Sequence, residues 1–150
     1  MNSAAVERLV RSLYRLGMVQ RQLARHALAE LGSQGFVALG VIHVNGPVRV
    51  SDVAQKLNVA LSVASRQVAA LESAGYVTRE SDPADRRAHR VTATESGRKV
   101  LKESHRRMVH AFSQALEGWT TEEVESLSVA LDRLREDVHR DVAGDRGVAA

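Results

Sequence analysis

The sequence predicts a mainly α fold with one small β-hairpin, and three observations predict it. Apolar residues recur at helical steps through most of the chain. A short helix, a tight turn and a second helix with a small, polar outer stripe stand between residues 51 and 75. After Gly75 the period drops from helical to alternating. Together they describe a helix-turn-helix followed by a β-ribbon, with long helices at both ends.

Each element has its own signal. Over residues 4–30, Val6, Leu9, Leu13, Leu16, Leu23 and Ala27 step by three, four and seven, which is one long amphipathic helix. SQGFVALGVIHV follows the Gly32 break as a shorter helix and ends at the turn Asn45-Gly46-Pro47. Ser51 stands as N-cap for SDVAQKLN, where Val53, Ala54 and Leu57 share a face. In ALSVASRQVAALESAG, Leu61, Ala64, Val68 and Leu71 form the inner stripe, Ser62, Ser65, Arg66, Ala69 and Ser73 the outer one, and Gly75 ends the helix.

Val77 and Arg79, then His89, Val91 and Ala93, alternate as strands, with residues 82–87 as a connecting loop longer than a minimal hairpin turn. Thr94 caps a long helix carrying Leu101, Met108, Phe112 and Ala115, which ends near Gly118. The final helix opens on a capping box, Thr120 with Glu123, and Trp119 is placed to staple onto Val124. Residues 143–150 read as a frayed tail.

Composition bounds the chemistry. The 150 residues are 44% apolar and 26% charged, an ordinary globular balance for one domain. Five aromatics leave the core to Leu, Val and Ala. No apolar run has the length of a membrane span and the N-terminus lacks a signal-peptide centre, so the expected location is the cytoplasm. Cysteine is absent, which removes disulfides and thiolate chemistry. His26, His43, His89, His105, His110 and His139 show no HExxH spacing, and neither a nucleophile elbow nor a phosphate loop is present. No metal, cofactor or enzymatic activity is expected.

A net charge of +3 and a pI near 9.8 permit a nucleic-acid partner without requiring one. Distribution decides. Small residues at 62, 65 and 69 let a helix sink into a groove, where Ser62, Ser65, Arg66 and Gln67 reach bases or phosphates. A solvated helix face has the same pattern. The hairpin tip sharpens the reading: Asp85 is placed to orient Arg87 into a minor groove, leaving Arg79, Arg86 and Arg90 for phosphates. Taken alone such a cluster reads as surface ion pairs, worth little individually. Placed directly after a helix-turn-helix, it reads as a DNA-binding wing.

The stretch from Val50 to Arg98 resembles the MarR family of winged helix-turn-helix transcriptional regulators, and the flanking helices resemble that family's dimerisation region, over roughly residues 5–140. The pattern Asp82, Asp85, Arg87, followed by Thr94 and Gly97, is the most specific element of the likeness. Val63, Ala69 and Ala93 depart from it, standing where the family often has a hydroxyl residue, Asp and Leu. The resemblance implies a homodimer whose two reading helices enter successive major grooves, with Arg87 in the flanking minor groove. It also implies a small aromatic or anionic effector, bound near Tyr14, Met18, Phe36, His43 and His105.

The end helices give a separate reason for a dimer. Val6, Leu9, Leu13 and Leu16 form one stripe; Val124, Leu127, Leu131, Leu134 and Val138 form another. Stripes left over from a small core are buried against a second copy or against each other, and the first is expected here. A two-fold dimer sets its reading helices about 34 Å apart and calls for a pseudo-palindromic double-stranded DNA site. The expected organisation is one domain: dimerisation helices over 1–32 and 118–142, a winged helix-turn-helix over 33–93, and a connecting helix over 94–117. Gly17 and Gly40 are expected at close helix contacts. The function read from these features is a ligand-responsive repressor, with a winged-helix protein-interaction scaffold as the rival.

Overall fold

The computed structural model describes residues 3–145, without the side chains of Arg86, Arg87 and residues 141–145. The elements run α1 (Ser3–Ala27), α2 (Gly32–Asn45), β1 (Val48–Arg49), α3 (Val50–Leu57), α4 (Leu61–Ser73), β2 (Val77–Asp82), β3 (Asp85–Ala93), α5 (Glu95–Ala115) and α6 (Thr121–Asp145). The chain divides into two compact units between Phe112 and Ser113. The predicted mainly α fold with a β-wing is the fold observed.

In the first unit, α2, α3 and α4 pack over the sheet. Ala38, Leu39 and Ile42 of α2, Val53 of α3, Val68 and Leu71 of α4, Val77, Val91 and Ala93 of the strands and Val100 of α5 form the main core. A smaller cluster joins Ala24, Ala27 and Leu28 to Phe36 and Met108. α1 stops at Ala27, earlier than the residue-30 boundary its periodicity suggests. Leu28 is already in the turn, and its carbonyl accepts the Leu31 and Gly32 N–H groups. Gly32 at φ +64° then redirects the chain, so that α2 leaves α1 at 78°. No single described helix is long and apolar enough to cross a membrane.

The turn between α3 and α4 is Asn58 to Ala60, with Asn58 in the left-handed region at φ 53°. α4 ends in a Schellman motif: Tyr76 N–H donates to the Leu71 carbonyl, and Gly75 N–H, at φ +77°, to that of Glu72. The strand order is β1-β3-β2, antiparallel throughout. Thr94 fastens the sheet to α5: its hydroxyl accepts the Gly97 N–H at 3.0 Å and donates to the Gly75 carbonyl at 2.7 Å.

The second unit holds α6. Its capping box is formed as predicted: Thr120 N–H donates to Glu123 at 2.8 Å and Glu123 N–H to the Thr120 hydroxyl at 3.2 Å.

Several expectations need correction. Ser51 is not an N-cap, because the two-residue strand β1 pairs with β3 through Val48 and Arg49 and makes Arg49 the cap. The Arg49 N–H is accepted by Asp52, which leaves Ser51 inside the first turn of α3. The sheet accordingly has three strands, one more than the hairpin alone. Nor is the wing loop long: β2 runs to Asp82 and β3 starts at Asp85, leaving a two-residue turn of Pro83 and Ala84. Leu61 at the start of α4 is exposed, since the inner stripe begins at Ala64. On α5 the most buried residues are Gly97, Val100 and Ser104; of the predicted stripe, Leu101 packs against the main core and Met108 against the smaller cluster, Phe112 is half-buried and Ala115 is exposed. Gly17 and Gly40 mark no close contact, because a Cβ at either meets nothing within 4 Å. Residues 143–145 continue α6, and the rest of the expected tail lies outside the described residues.

Candidate nucleic-acid interface

The candidate reading helix is α4. Burying Ala64, Val68 and Leu71 turns Ser62, Arg66 and Ala69 out to solvent, with Ser65 half-buried beside them. Gln67 lies on the flank, where its amide nitrogen donates to the Gln34 oxygen of α2 at 2.7 Å. The outward face therefore offers small side chains with one long cation among them, a profile that fits a groove floor.

The wing follows from α4 without slack. After the Schellman turn, β2 begins at Val77, and the Arg79 Nε donates to Glu72 on the last turn of α4 at 2.8 Å. Arg79 is thus tied to the helix it follows.

At the far end, Asp82 organises the hairpin. Its side chain is fully buried, and it accepts on both oxygens: Oδ1 from the Ala84 N–H at 2.9 Å, Oδ2 from Arg49 Nε at 2.8 Å and Nη2 at 2.6 Å. Arg90 Nε stands 3.2 Å from the same Oδ2. The Ala84 N–H and then the Arg49 guanidinium hold this carboxyl at about 2, against burial, with Arg90 adding to the effect. Asp82 raises the pKa of Arg49 in return. The turn is tight because its first carboxylate is tethered inward.

Asp85 opens β3 opposite Asp82 and is exposed. Arg86 and Arg87 follow it in β3, and their side chains lie outside the described residues. The structure therefore brings Arg79, Asp85 and Arg90 onto one hairpin that emerges directly from α4. Sequence reasoning missed Arg49 and the clamp on Asp82. Asp82 stood in the motif, but its partner is 33 residues away, and only the pairing of β1 with β3 joins them.

The residues singled out for an effector are dispersed. Phe36 packs in the smaller cluster, whereas Tyr14, Met18, His43 and His105 are exposed. A cavity of about 520 Å³ lies elsewhere in the first unit, lined by Val19, Gln22, Leu23, His26, Ala27, Arg107 and Ala111. The Arg107 Nε and Nη2 are buried without a hydrogen bond, although Nη2 lies 3.4 Å from Glu30. On the end helices, Val6, Leu9, Leu13 and Leu16 are exposed, as are Leu127, Leu131 and Val138; Val124 and Leu134 are half-buried.

Comparison with known proteins gives a consistent picture. Residues 31–89 match the MarR family model. YxaD of Bacillus subtilis (strain 168), an uncharacterized HTH-type transcriptional regulator, is 36% identical over 89 residues, 59% of this chain and 62% of that protein. YybA of the same organism, described in the same words, is 28% identical over 134 residues, 86% of this chain and 89% of that protein. A MarR family protein from Bacillus stearothermophilus superposes with a TM-score of 0.81 at 23% identity, covering 93% of this chain and 99% of that one. A mutant of MarR from E. coli, solved in complex with operator DNA, gives 0.74 at 21% identity, covering 87% and 95%.

Proposed function

We propose that this chain, whose residues 31–89 match the MarR family model, is a homodimeric repressor of that family that binds a pseudo-palindromic DNA operator. The observation that carries this reading is the direct continuity of α4 with the wing, through the Gly75 turn and the Arg79–Glu72 pair. Reading helix and hairpin are held as one body, so a groove that admits the first meets the second. The likeness to an E. coli protein solved with operator DNA supports the same assignment. Ser62, Ser65, Arg66 and Gln67 serve the major groove, Arg87 oriented by Asp85 the minor groove, and Arg79, Arg86 and Arg90 the phosphates.

The exposed leucines of α1 and α6 support a second copy as partner. The cavity beside Arg107 supports a small effector that is apolar in body and anionic at one end. Such an effector acts by binding one spacing of the reading helices better than another. The proposed location is the cytoplasm, where operator DNA is found.

Selecting bound duplexes from a random pool tests the reading, and an inverted repeat is expected. Arg87→Ala should weaken binding to that duplex by about tenfold to a hundredfold with the dimer intact. Unchanged affinity removes the wing from the interface. Failure to bind any duplex in dilute salt leaves the protein-interaction scaffold as the surviving function.

A further inference from the structure

The ladder between β1 and β3 sets Val48 opposite Val91 and Arg49 opposite Arg90. Both valines are buried, so both arginines leave by the other face, side by side. Beneath them lies Asp82, whose Oδ2 receives two bonds from Arg49 and the Nε of Arg90. One carboxylate carries one negative charge, and two guanidinium groups carry two positive ones.

Stability alone does not call for the second arginine. The Ala84 N–H and the two Arg49 donors already satisfy Asp82 at 2.6–2.9 Å, whereas Arg90 stands at 3.2 Å. What the second cation adds is a pair of forks pinned at their inner edges. About two-fifths of each arginine side chain stays exposed, 41% for Arg49 and 39% for Arg90. A guanidinium fixed in this way loses little rotamer freedom when it meets an anion. The pair sits at the root of the Pro83-Ala84 turn, directly behind Asp85, Arg86 and Arg87.

We propose that Arg49 and Arg90, oriented together by the buried Asp82, clamp a backbone phosphate of duplex DNA beside the groove that the wing tip enters; this assignment rests on the DNA-binding reading above. Arg49 thereby joins the interface as a residue of β1, outside both the reading helix and the hairpin. Glu80 pairs with Arg90 on the ladder, and Asp85 and Asp52 act on Arg49 through their charge.

Binding of the full-length protein to its selected operator and to an unrelated duplex, each over a series of salt concentrations, tests this. Arg49→Gln should reduce the log-log salt slope by about 0.9 for each clamp lost and weaken both duplexes by the same factor. Arg49→Lys keeps the cation but not the pinned fork, so it should keep the slope and recover only part of the affinity. A slope unchanged in Arg49→Gln overturns the clamp. So does a loss confined to the operator, or a lysine variant whose slope is as shallow as that of Arg49→Gln, which marks a brace and nothing more. If Arg49→Gln does not fold, Arg90→Gln carries the same expectations. If the unaltered protein binds neither duplex, the DNA-binding reading itself falls; if it binds both and only the slope test fails, that reading stands and the clamp does not.

Discussion

Gly97 of α5 lies against the Tyr76 carbonyl so closely that a Cβ on Gly97 would overlap the Tyr76 oxygen and stand 2.9 Å from its carbonyl carbon. The contact is backbone on backbone, so no side chain can rotate away. Gly75 is different: it has open space around it but φ of +77°, where an L residue is strained by about 1–2 kcal/mol. Gly75→Ala should therefore lose about that amount in urea unfolding. Gly97→Ala should lose more than about 3 kcal/mol, above the usual range for overpacking. Equal midpoints for the two variants would mean that α5 slides along the sheet to make room.

Acid should loosen the wing in a defined window. The Asp82 carboxyl is held at about 2 when folded, against about 4 for an ordinary aspartate. A depressed folded value means that the unfolded chain takes up the proton first. The stabilising contribution is complete above about pH 4 and is lost as pH falls towards about 2. Melting temperatures of the unaltered protein and of Asp82→Asn, followed over that window, should differ most at neutral pH and converge in acid. A constant difference down to pH 2 would show that Asp82 stabilises by something other than its charge.

What was legible in the sequence was what neighbours in the chain decide. Thr120 and Glu123 form their capping box three residues apart, Gly75 stops α4 through bonds to its own last turn, and Val53, Ala54, Val68 and Leu71 point inward by period alone. What stayed hidden depends on distant partners. Val48 and Arg49 are a strand only because Val91 and Arg90 lie beside them, and that pairing displaces the cap from Ser51 to Arg49. The wing motif was visible as Asp82, Asp85, Arg87, Thr94 and Gly97, yet the parts played by three of its members come only with the fold. Asp82 is an inward tether, Thr94 a tie between α4 and α5, and Gly97 a spacer against Tyr76. Of the candidate contact residues, the α4 face could be read because helical period separates Ser62 and Arg66 from Ala64 and Val68. Arg49 could not, having no periodic signal in a two-residue strand.

Ser104 offers a stabilising change. It is fully buried on α5, near Val100 of the main core, and its hydroxyl has no hydrogen-bond partner. Burying a hydroxyl without a partner costs about 1–3 kcal/mol. Ser104→Ala removes the oxygen and keeps the shape, so it should raise stability by about 1 kcal/mol, seen as an increase of a few degrees in melting temperature. A decrease would place a bound water or a back-bond to the helix at this hydroxyl.

The leucines of α6 give the dimer its most direct test. Leu127 and Leu131 are 42% and 39% exposed, apolar surface that the proposed dimer would cover. Complete burial of a leucine contributes about 1.5–3 kcal/mol, so covering the remaining two-fifths contributes about 1 kcal/mol each. A two-fold interface buries four such side chains, about 4 kcal/mol in all, or about a thousandfold in dissociation constant. Leu127→Glu with Leu131→Glu forfeits this and brings like charges together at the axis. Sedimentation should show a dimer for the unaltered protein and a folded monomer, or loss of folding, for the double variant. A native-sized dimer that survives both charges would move the contact off α6, to the exposed Val6, Leu9, Leu13 and Leu16 of α1, and the same paired substitution at Leu9 and Leu13 would then have to break it.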